Sequence, residues 1–313
     1  MIRVEWGALG RVFGARILEV LALALAVFTL LFAALRLTGD PAVLLAGEDA
    51  DKASLAAVRA AYGLDRPLWV QYVAYLAKAL GGDFGASLAT GQPAIAVVLA
   101  AVSNTLLMAG LAISLTIALA TPLGVWLGAA PDRLGQRVGL GLLILVQSMP
   151  GLVVALVLIQ VFCVQLGWLP AMGAGRVSAW ILPSVTLATF LVPKLARLIA
   201  ANIAAARTQD YVRTAEAAGL SPRRILWRHI LPNALIGAVA LLGAQFSFLV
   251  SGAVVTETIF AWPGLGRLLV QSTLTLDFPV VQALVLVICV MVFAAGAAAD
   301  IAIRLIDPRI RPA

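Results

Sequence analysis

Residues 201–229 read ANIAAARTQDYVRTAEAAGLSPRRILWRH, and this stretch decides how the chain is organised. Alanine and arginine favour helix up to Glu216–Ala218. Gly219 is placed to end that helix, because glycine adopts the left-handed conformation without strain. Ser221 suits the N-cap of a following helix, with Pro222 at its first position. The stretch therefore predicts a hairpin of two helices joined by a tight turn.

The composition around this hairpin is that of a polytopic membrane protein. Hydrophobic residues make up 62% of the 313 residues and charged residues 12%, against roughly 25% charged in soluble domains, and the mean hydropathy is +1.03. These values exclude a secreted disulfide scaffold, a disordered chain and a nucleic-acid-binding globule. Both cysteines lie in apolar runs, so no disulfide framework is expected, and a single histidine cannot form a metal cluster.

Six stretches are long and apolar enough to span a bilayer, which takes about 20 residues. The predicted fold class is therefore an all-α integral membrane protein with six transmembrane helices. Lys194 falls near the end of the fourth stretch, where a lysine can reach the membrane interface. The predicted spans are residues 17–37, 97–129, 138–166, 179–200, 230–256 and 280–306.

The distribution of charge fixes the expected orientation. If both termini are cytoplasmic, most of the 22 basic residues lie inside, so the net charge of +7 follows the positive-inside rule and needs no nucleic-acid partner. The hairpin then has three interpretations: a plain basic loop, a DNA-reading helix-turn-helix, or a surface gripped by a soluble partner. Its position directly between two spans is poorly suited to a major groove.

Residues 38–96 form the long loop on the opposite side. We expect a folded external cap there, with one short helix at residues 53–62 ended by Gly63 and another at 68–80. Aromatic side chains at helical spacing on the second helix favour either anchoring at the membrane interface or a docking surface. They are Trp69, Tyr72 and Tyr75.

The hairpin resembles the cytoplasmic "EAA" loop of binding-protein-dependent ABC importers, in which a glycine precedes a Leu-Pro pair by a fixed interval. Here Gly219 and Pro232 occupy those positions. The Glu-Ala-Ala at residues 216–218 is not aligned with the Glu-Ala-Ala of the motif. Counted from the glycine, the glutamate position of the motif falls on Arg213 and its isoleucine position on His229. The string DYVRTAEAAGLSPRRILWRHILPNALI is similar to the oligopeptide/dipeptide/nickel permease branch, which shares these departures.

The resemblance covers nearly the whole chain. The segments RLTGDPA, YGLDRPLWVQY, GGDFGAS, ETIFAWPGLGRLL, DFPVVQ and IDPRIR occur in the order typical of that branch. The resemblance implies an N-terminal helix at about 17–37 with an extracytoplasmic region at 38–96, and a type I ABC importer permease core at 97–306. A cytoplasmic tail follows at 307–313.

The resemblance also implies partners. Such a chain pairs with a second homologous permease subunit, with two ABC ATPase subunits and with an extracytoplasmic substrate-binding protein, in the lipid of a bacterial inner membrane. The chain has no G-x-x-x-x-G-K-[ST] motif, so ATP and Mg would be bound and ATP hydrolysed by the partner subunits, and the chain itself would be no enzyme and carry no cofactor. The residues carried over to the ATPase contact are Arg213, Gly219, Ser221, Pro222, Arg223, Arg224, Arg228 and His229.

A candidate external gate lies at the outer end of the fifth span. Glu257 is an acid close to the bilayer, and the Pro and Gly residues after it prevent a simple helix, so a bent or re-entrant element is expected, with a tight turn as the alternative. The gate candidates are Glu257, Phe260, Trp262, Pro263 and Gly264. Polar residues within the spans that could line a path are Asn104, Gln147 and Gln245.

The function expected from these features is a permease that carries peptides or a related small solute. The alternative is an ion-coupled secondary transporter, which would favour ionisable residues near mid-membrane. The predicted spans place no ionisable residue there. An intramembrane enzyme would need a catalytic constellation that one histidine and scattered acids do not supply.

Overall fold

The computed structural model describes residues 18–19, 21–30, 32–33, 42–43, 51–130 and 133–306. Over these residues the chain is helical, and the β-structure they contain is one isolated bridge between Ala86 and Pro93. Backbone contacts divide the chain into two units. The smaller unit comprises residues 1–103 and 267–293, and the larger unit comprises residues 104–266 and 294–313.

The helices described follow one another with few residues between them. In chain order they are α1 (Leu21–Leu30), α2 (Lys52–Tyr62), α3 (Leu68–Leu80), α4 (Ala94–Ala129), α5 (Leu134–Ser148), α6 (Gly151–Leu158), α7 (Ile181–Ala206), α8 (Asp210–Ala217), α9 (Pro222–Ile225), α10 (Leu231–Gly252), α11 (Val254–Ile259), α12 (Leu265–Leu274) and α13 (Phe278–Ile306). A π-helical turn extends α6 over Ile159–Gln165 and another joins α9 to α10 over Leu226–Ile230, while a 3₁₀ turn, Val177–Trp180, precedes α7.

Both short helices predicted in the long loop are present in the smaller unit. Helix α2 begins after Asp51, whose side chain accepts a hydrogen bond from the backbone N–H of Ser54 at 2.9 Å, and it ends at Gly63 with φ of 63°. Hydrogen bonds from the Ser54 side chain and backbone hold the pKa of Asp51 below its ordinary value. Helix α3 covers the predicted residues 68–80. Both predicted helices are confirmed, and the bounds of α2 follow from local capping chemistry.

The aromatic residues of α3 do not form one interfacial face. Tyr72 and Tyr75 pack against α1, with ring centroids 5.3 Å from Phe32 and 5.9 Å from Phe28, respectively. The Tyr72 hydroxyl also lies 2.6 Å from Thr29 Oγ1. Trp69 alone of the three points outward, 70% exposed. The expectation of a shared anchoring or docking face was therefore wrong for the two tyrosines, which attach α3 to α1.

A buried acid fixes the loop that precedes α4. Asp277, which is 2% exposed, accepts a hydrogen bond from Ser87 Oγ at 2.6 Å and a longer one from the Ala89 backbone N–H at 3.3 Å. Asp277 directly precedes α13, so this contact joins the loop of residues 81–93 to the start of the last span. The two sequence segments GGDFGAS and DFPVVQ thus meet within the smaller unit.

Four of the described helices are long and apolar enough to cross a membrane, and a bent pair supplies a fifth crossing if it is counted as one span. The first predicted span, 17–37, coincides with α1 where it is described, and its other positions are described only at 18–19 and 32–33. The tail at 307–313 lies outside the described residues.

The third predicted span, 138–166, is not one straight helix. It is broken into α5 and α6, which meet at an angle of 95°. Met149 is extended, with φ of −74° and ψ of 129°, because the ring of Pro150 disfavours the helical conformation of the residue before it. The sequence prediction placed the span correctly and missed the break.

The fourth predicted span, 179–200, ends six residues before the helix that it belongs to. Helix α7 continues to Ala206 through Pro193, so Lys194 lies twelve residues, or about 18 Å, from its end. Lys194 therefore does not lie at a helix end but near the middle of α7, where it is half-buried. Its contact with the membrane interface stays a prediction.

Small residues let α4 and α7 approach closely. A Cβ on Gly124 would lie 2.7 Å from Ile199 Cβ and 2.8 Å from the Ala196 carbonyl oxygen, and a Cβ on Gly128 would lie 2.9 Å from Ile203 Cβ. The two glycines are four residues apart, so they form one flat stripe on α4. Such stripes drive helix association in lipid, where van der Waals contact replaces the hydrophobic effect.

We expect replacement of Gly124 or Gly128 by leucine to separate α4 from α7. Forcing side-chain volume into a close contact costs about 1–3 kcal/mol, so the purified protein should show a lower thermal-unfolding midpoint in detergent. Gly110→Ala is the matched control, because a Cβ there meets nothing within 4 Å. Equal midpoints for Gly124→Leu and Gly110→Ala would contradict the close packing.

Candidate functional site: a basic hairpin, a buried turn and a cationic cavity

The basic hairpin (residues 201–229) has the predicted geometry. Helix α8 ends at Ala217 and is followed by Gly219 with φ of 75°. Ser221 caps α9, since its hydroxyl accepts a hydrogen bond from the Arg224 backbone N–H, and Pro222 occupies the first helical turn. Among the described residues beyond its chain neighbours, no atom lies within 4 Å of a Cβ built on Gly219, so backbone conformation and not crowding requires glycine there.

The hairpin is fastened to the spans on both sides. Its buried side chains belong to the same hydrophobic cluster as the end of α7 and the start of α10, which includes Ile199, Ile203, Leu231 and Ala234. Beyond the end of α7, the hairpin residues in that cluster are Val212, Ala215 and Ile225, and Ile230 follows directly after them. Because α9, the π-helical turn and α10 follow one another without a break, the second arm of the hairpin is an extension of the fifth span.

The outward face of the hairpin is basic and aromatic. A shallow cavity of about 400 Å³ is lined by Ser221, Arg223, Arg224 and Trp227, and Trp227 is 55% exposed. Arg213 and Arg228 are also exposed, and Arg213 pairs with Asp210 at 3.7 Å, an exposed contact that contributes little stability. His229 is half-buried, and its carbonyl oxygen accepts a hydrogen bond from Asn233.

Residues 257–266 form a buried turn between α11 and α12. Glu257 is fully buried, and its two carboxylate oxygens accept hydrogen bonds from Thr105 Oγ1 at 2.8 Å and from the Gly266 backbone N–H at 2.7 Å. Thr105 Oγ1 also accepts from the Leu265 backbone N–H at 2.8 Å. A Cβ on Gly264 would overlap the Glu257 carboxylate. The acid is thus an internal fastening of the turn to α4.

Two further hydrogen bonds tie the turn to α4. Trp262 is fully buried, and its Nε1 donates to the Asn104 carbonyl oxygen at 3.0 Å, while Asn104 Nδ2 donates to the Pro263 carbonyl oxygen at 2.9 Å. Asn104 was predicted as a path-lining residue. Its amide holds the turn, and its role in lining a path stays a prediction.

The backbone of the turn is bent as predicted, and one residue is strained. Ala261 has φ of 49°, a conformation that costs an L-residue roughly 1–2 kcal/mol. Phe260 next to it is buried against Ala155 and Leu182, and its carbonyl oxygen accepts from the Gly173 N–H at 2.8 Å. Of the five gate candidates only Pro263 is exposed, so the turn is packed inside the protein.

Of the other two path-lining candidates, Gln147 lines a cavity within the larger unit, and Gln245 contacts a lysine that lines it. This cationic cavity, of about 620 Å³, is lined by Gln147, Lys194 and Arg197 together with Leu and Ala side chains of α4, α5, α7 and α10. Gln147 Oε1 accepts from Arg197 Nη1 at 2.9 Å, and Gln245 Oε1 lies 3.4 Å from Lys194 Nζ. The two glutamines are therefore partners of the two cations.

Sequence reasoning missed Thr105, Lys194 and Arg197 as residues of these sites. Thr105 lies 152 positions from Glu257, so no local pattern connects them. A signal was available for Lys194 and Arg197: they are three residues apart on a helix, which places them on one face.

A bundle of apolar helices with a broken span and a basic hairpin continuous with a span defines a membrane permease. Family comparison agrees: residues 120–312 match the family described as binding-protein-dependent transport system inner membrane component, and residues 7–119 match its N-terminal family. The chain belongs to this family and is a multi-pass inner-membrane permease subunit of an ABC importer that works with a binding protein.

Curated relatives and solved structures support this membership. The glutathione transport system permease protein GsiC of Salmonella choleraesuis (strain SC-B67) is 37% identical over 289 residues, covering 92% of this chain and 94% of its own. GsiC of Escherichia coli (strain K12) is 37% identical over 279 residues, covering 88% and 90%.

The fold is shared with type I importer permeases. An inward-facing structure of the MetNI methionine ABC transporter has a TM-score of 0.57 at 20% identity and covers 67% of this chain and 96% of that chain. A crystal structure of an amino acid ABC transporter with histidines has a TM-score of 0.51 at 17% identity, with coverages of 68% and 94%. At these identities the likeness concerns the fold alone.

We expect Gly264→Ala to loosen the buried turn, because its methyl group would displace the Glu257 carboxylate. Donors left without an acceptor cost about 1–3 kcal/mol each, so the thermal-unfolding midpoint should fall, and Glu257→Ala should lower it similarly. Val255→Ala, an exposed change on α11, is the control. If Gly264→Ala unfolds at the wild-type temperature, the carboxylate does not hold the turn.

Proposed function

We propose that this chain forms half of the translocation path of an ATP-driven importer for short peptides or a related small solute, such as the glutathione named for its relatives. A second homologous permease forms the other half. Two ABC ATPase subunits bind and hydrolyse ATP with Mg on the cytoplasmic side, where both termini lie, and an extracytoplasmic binding protein delivers the solute. The chain itself holds no cofactor and supplies no ATPase site.

The observation that carries this proposal is the attachment of the hairpin. An element that transmits the movement of an ATPase must be rigidly attached to the membrane spans and must leave a surface exposed for the ATPase to bind. Val212 and Ile225 are buried among residues of α7 and α10, while Trp227 is half-exposed. Because α9 continues into α10 through a π-helical turn, a force on the exposed face reaches the fifth span directly.

The exposed face also has the chemistry of a docking surface. Tryptophan and arginine are enriched among interface residues that dominate binding, and here Arg223, Arg224 and Trp227 surround one shallow cavity. Their positive charge fits a groove with an acidic rim, where it would mainly speed association. We assign Arg213, Gly219, Ser221, Pro222, Arg228 and His229 to the same coupling element, in agreement with the positions of the family motif.

We further propose that the buried turn belongs to the external gate. The turn and the hairpin lie at opposite ends of α10. This helix has 22 residues, so its ends are about 33 Å apart. The strained Ala261 supports a role in movement, since residues held in unfavourable backbone conformations concentrate at switch regions. A Glu257→Gln, Trp262→Ala double variant should lose solute uptake; normal uptake would remove the turn from the gate.

The coupling role predicts different results for two substitutions of Gly219. Gly219→Val places a β-branched residue at φ of 75° and strains the turn by about 1–2 kcal/mol. We expect uptake to fall several-fold while insertion into the membrane is retained. Gly219→Asn is the matched control, because asparagine tolerates the left-handed conformation, and its uptake should stay near wild type. Unchanged transport in the valine variant would contradict the proposed role of the hairpin.

A second experiment tests the docking face directly. We expect a Trp227→Ala, Arg224→Glu variant to lose co-purification of P-loop ATPases from native membranes in mild detergent. Trp168→Ala, which removes a tryptophan that is 68% exposed outside the hairpin, should retain them. Equal recovery of ATPases with both variants would contradict the proposed docking face. Recovery of the wild-type chain without any ATPase after crosslinking would favour a self-sufficient carrier such as an ion-coupled transporter.

A further inference from the structure

The cationic cavity is lined by two positive charges on one face of α7, a half-buried Lys194 and an exposed Arg197. Lys194 lies near the middle of α7, and Arg197 follows one turn later on the same face. A charged side chain at the centre of a span costs roughly 2.5–3.5 kcal/mol on insertion scales. Such residues generally face a protein interior or a water-filled cavity and mark the route of a substrate or ion, so their presence here needs a specific cause.

The surroundings of Lys194 hold its ammonium in place without neutralising it. Nζ lies 3.8 Å from the centroid of the Phe190 ring and 5.9 Å from that of Phe248, and 3.4 Å from Gln245 Oε1. The two rings stack on each other at 5.6 Å. A cation–π contact and one amide oxygen stabilise the ammonium but leave its charge intact.

Arg197, like Lys194, has an amide oxygen as its partner and no carboxylate among the described residues. Its guanidinium donates one hydrogen bond, to Gln147, and guanidinium has five N–H donors. No carboxylate lines the cavity among the described residues, and over that part of the chain neither cation is paired with an acid. The cavity therefore presents two positive charges and several unused donors to whatever occupies it.

The shape of the site supports a ligand of moderate size. The volume of about 620 Å³ falls in the usual range of roughly 300–1,000 Å³ for small-molecule sites. Gln147 comes three residues before Pro150, where the third span is broken. Discontinuous helices are the usual framework of substrate sites inside transporters. The remaining lining is Leu and Ala, which offers apolar contact to the rest of a solute.

We propose that the cationic cavity binds the carboxylate of the transported solute, with Arg197 as a forked donor and Lys194 as a point charge. This inference rests on the proposed import function and narrows its substrate to solutes with a free carboxylate, such as peptides with an unmodified C-terminus. An anionic lipid headgroup would satisfy the same charges, and the experiment separates the two sources.

The test uses the complete importer reconstituted with its ATPases, partner permease and binding protein, with glutathione as probe. We expect Lys194→Met and Arg197→Gln each to raise the half-saturating concentration of binding-protein-loaded glutathione for uptake by about tenfold, the effect of losing one charge-assisted hydrogen bond. Lys194→Arg should restore most of it. Arg133→Gln, which removes an exposed cation outside the cavity, should behave as wild type.

The outcomes distinguish this inference from the proposed function. Wild-type uptake with unchanged concentration dependence in Lys194→Met and Arg197→Gln would overturn the carboxylate site and leave the importer role standing. A wild-type complex that assembles with no ATPase, or transports nothing on ATP, would overturn the importer role itself. Native mass spectrometry gives the lipid arm: bound phosphatidylglycerol that disappears in Lys194→Met and that excess glutathione does not displace would assign the site to lipid and reject the solute.

Discussion

Close packing around helix α7 is the contact on which the larger unit depends. Helices α5, α6 and α10 all contact α7, and α4 reaches it through Gly124 and Gly128. Because lipid tails are as apolar as leucine, these helices gain little from hydrophobic burial and must gain from fit. Ile203 near the end of α7 continues the same cluster into the hairpin. The position of the hairpin and the walls of the cationic cavity both follow from this packing.

A second constraint explains where the helices break. A bilayer offers no water to unpaired backbone groups, so irregular backbone is tolerated only where protein satisfies it. At the buried turn the Pro263 carbonyl oxygen is satisfied by Asn104, and the Leu265 N–H by Thr105. The acid Glu257 supplies further acceptors. Asn104 and Thr105 of α4 thus satisfy the backbone groups that the bend at the buried turn would otherwise leave unpaired.

The limits of sequence reasoning follow from these contacts. Gly63, Gly219 and Ser221 could be predicted to the residue, because helix caps are determined by two or three neighbouring positions. The break at Pro150 was signalled by the proline but concealed by the uncharged run on both sides of it. The end of α7 could not be predicted, because residues 201–206 read equally well as hairpin and as span, and only their burial decides. The place of Lys194 near the middle of α7 follows from that single boundary.

The order of sites along one helix suggests how they would work together. Helix α10 begins where the hairpin ends, carries Leu241 and Gln245 past the cationic cavity, and reaches the buried turn through α11. Coupling between distant sites requires a physical element with two arrangements that both sites bias. If an ATPase subunit moves the hairpin, α10 is the element that would shift against α7, and the contact between Lys194 and Gln245 lies across that boundary. The ammonium would then lose or gain its amide partner as the helices slide, which would make carboxylate binding in the cavity depend on the state of the ATPase.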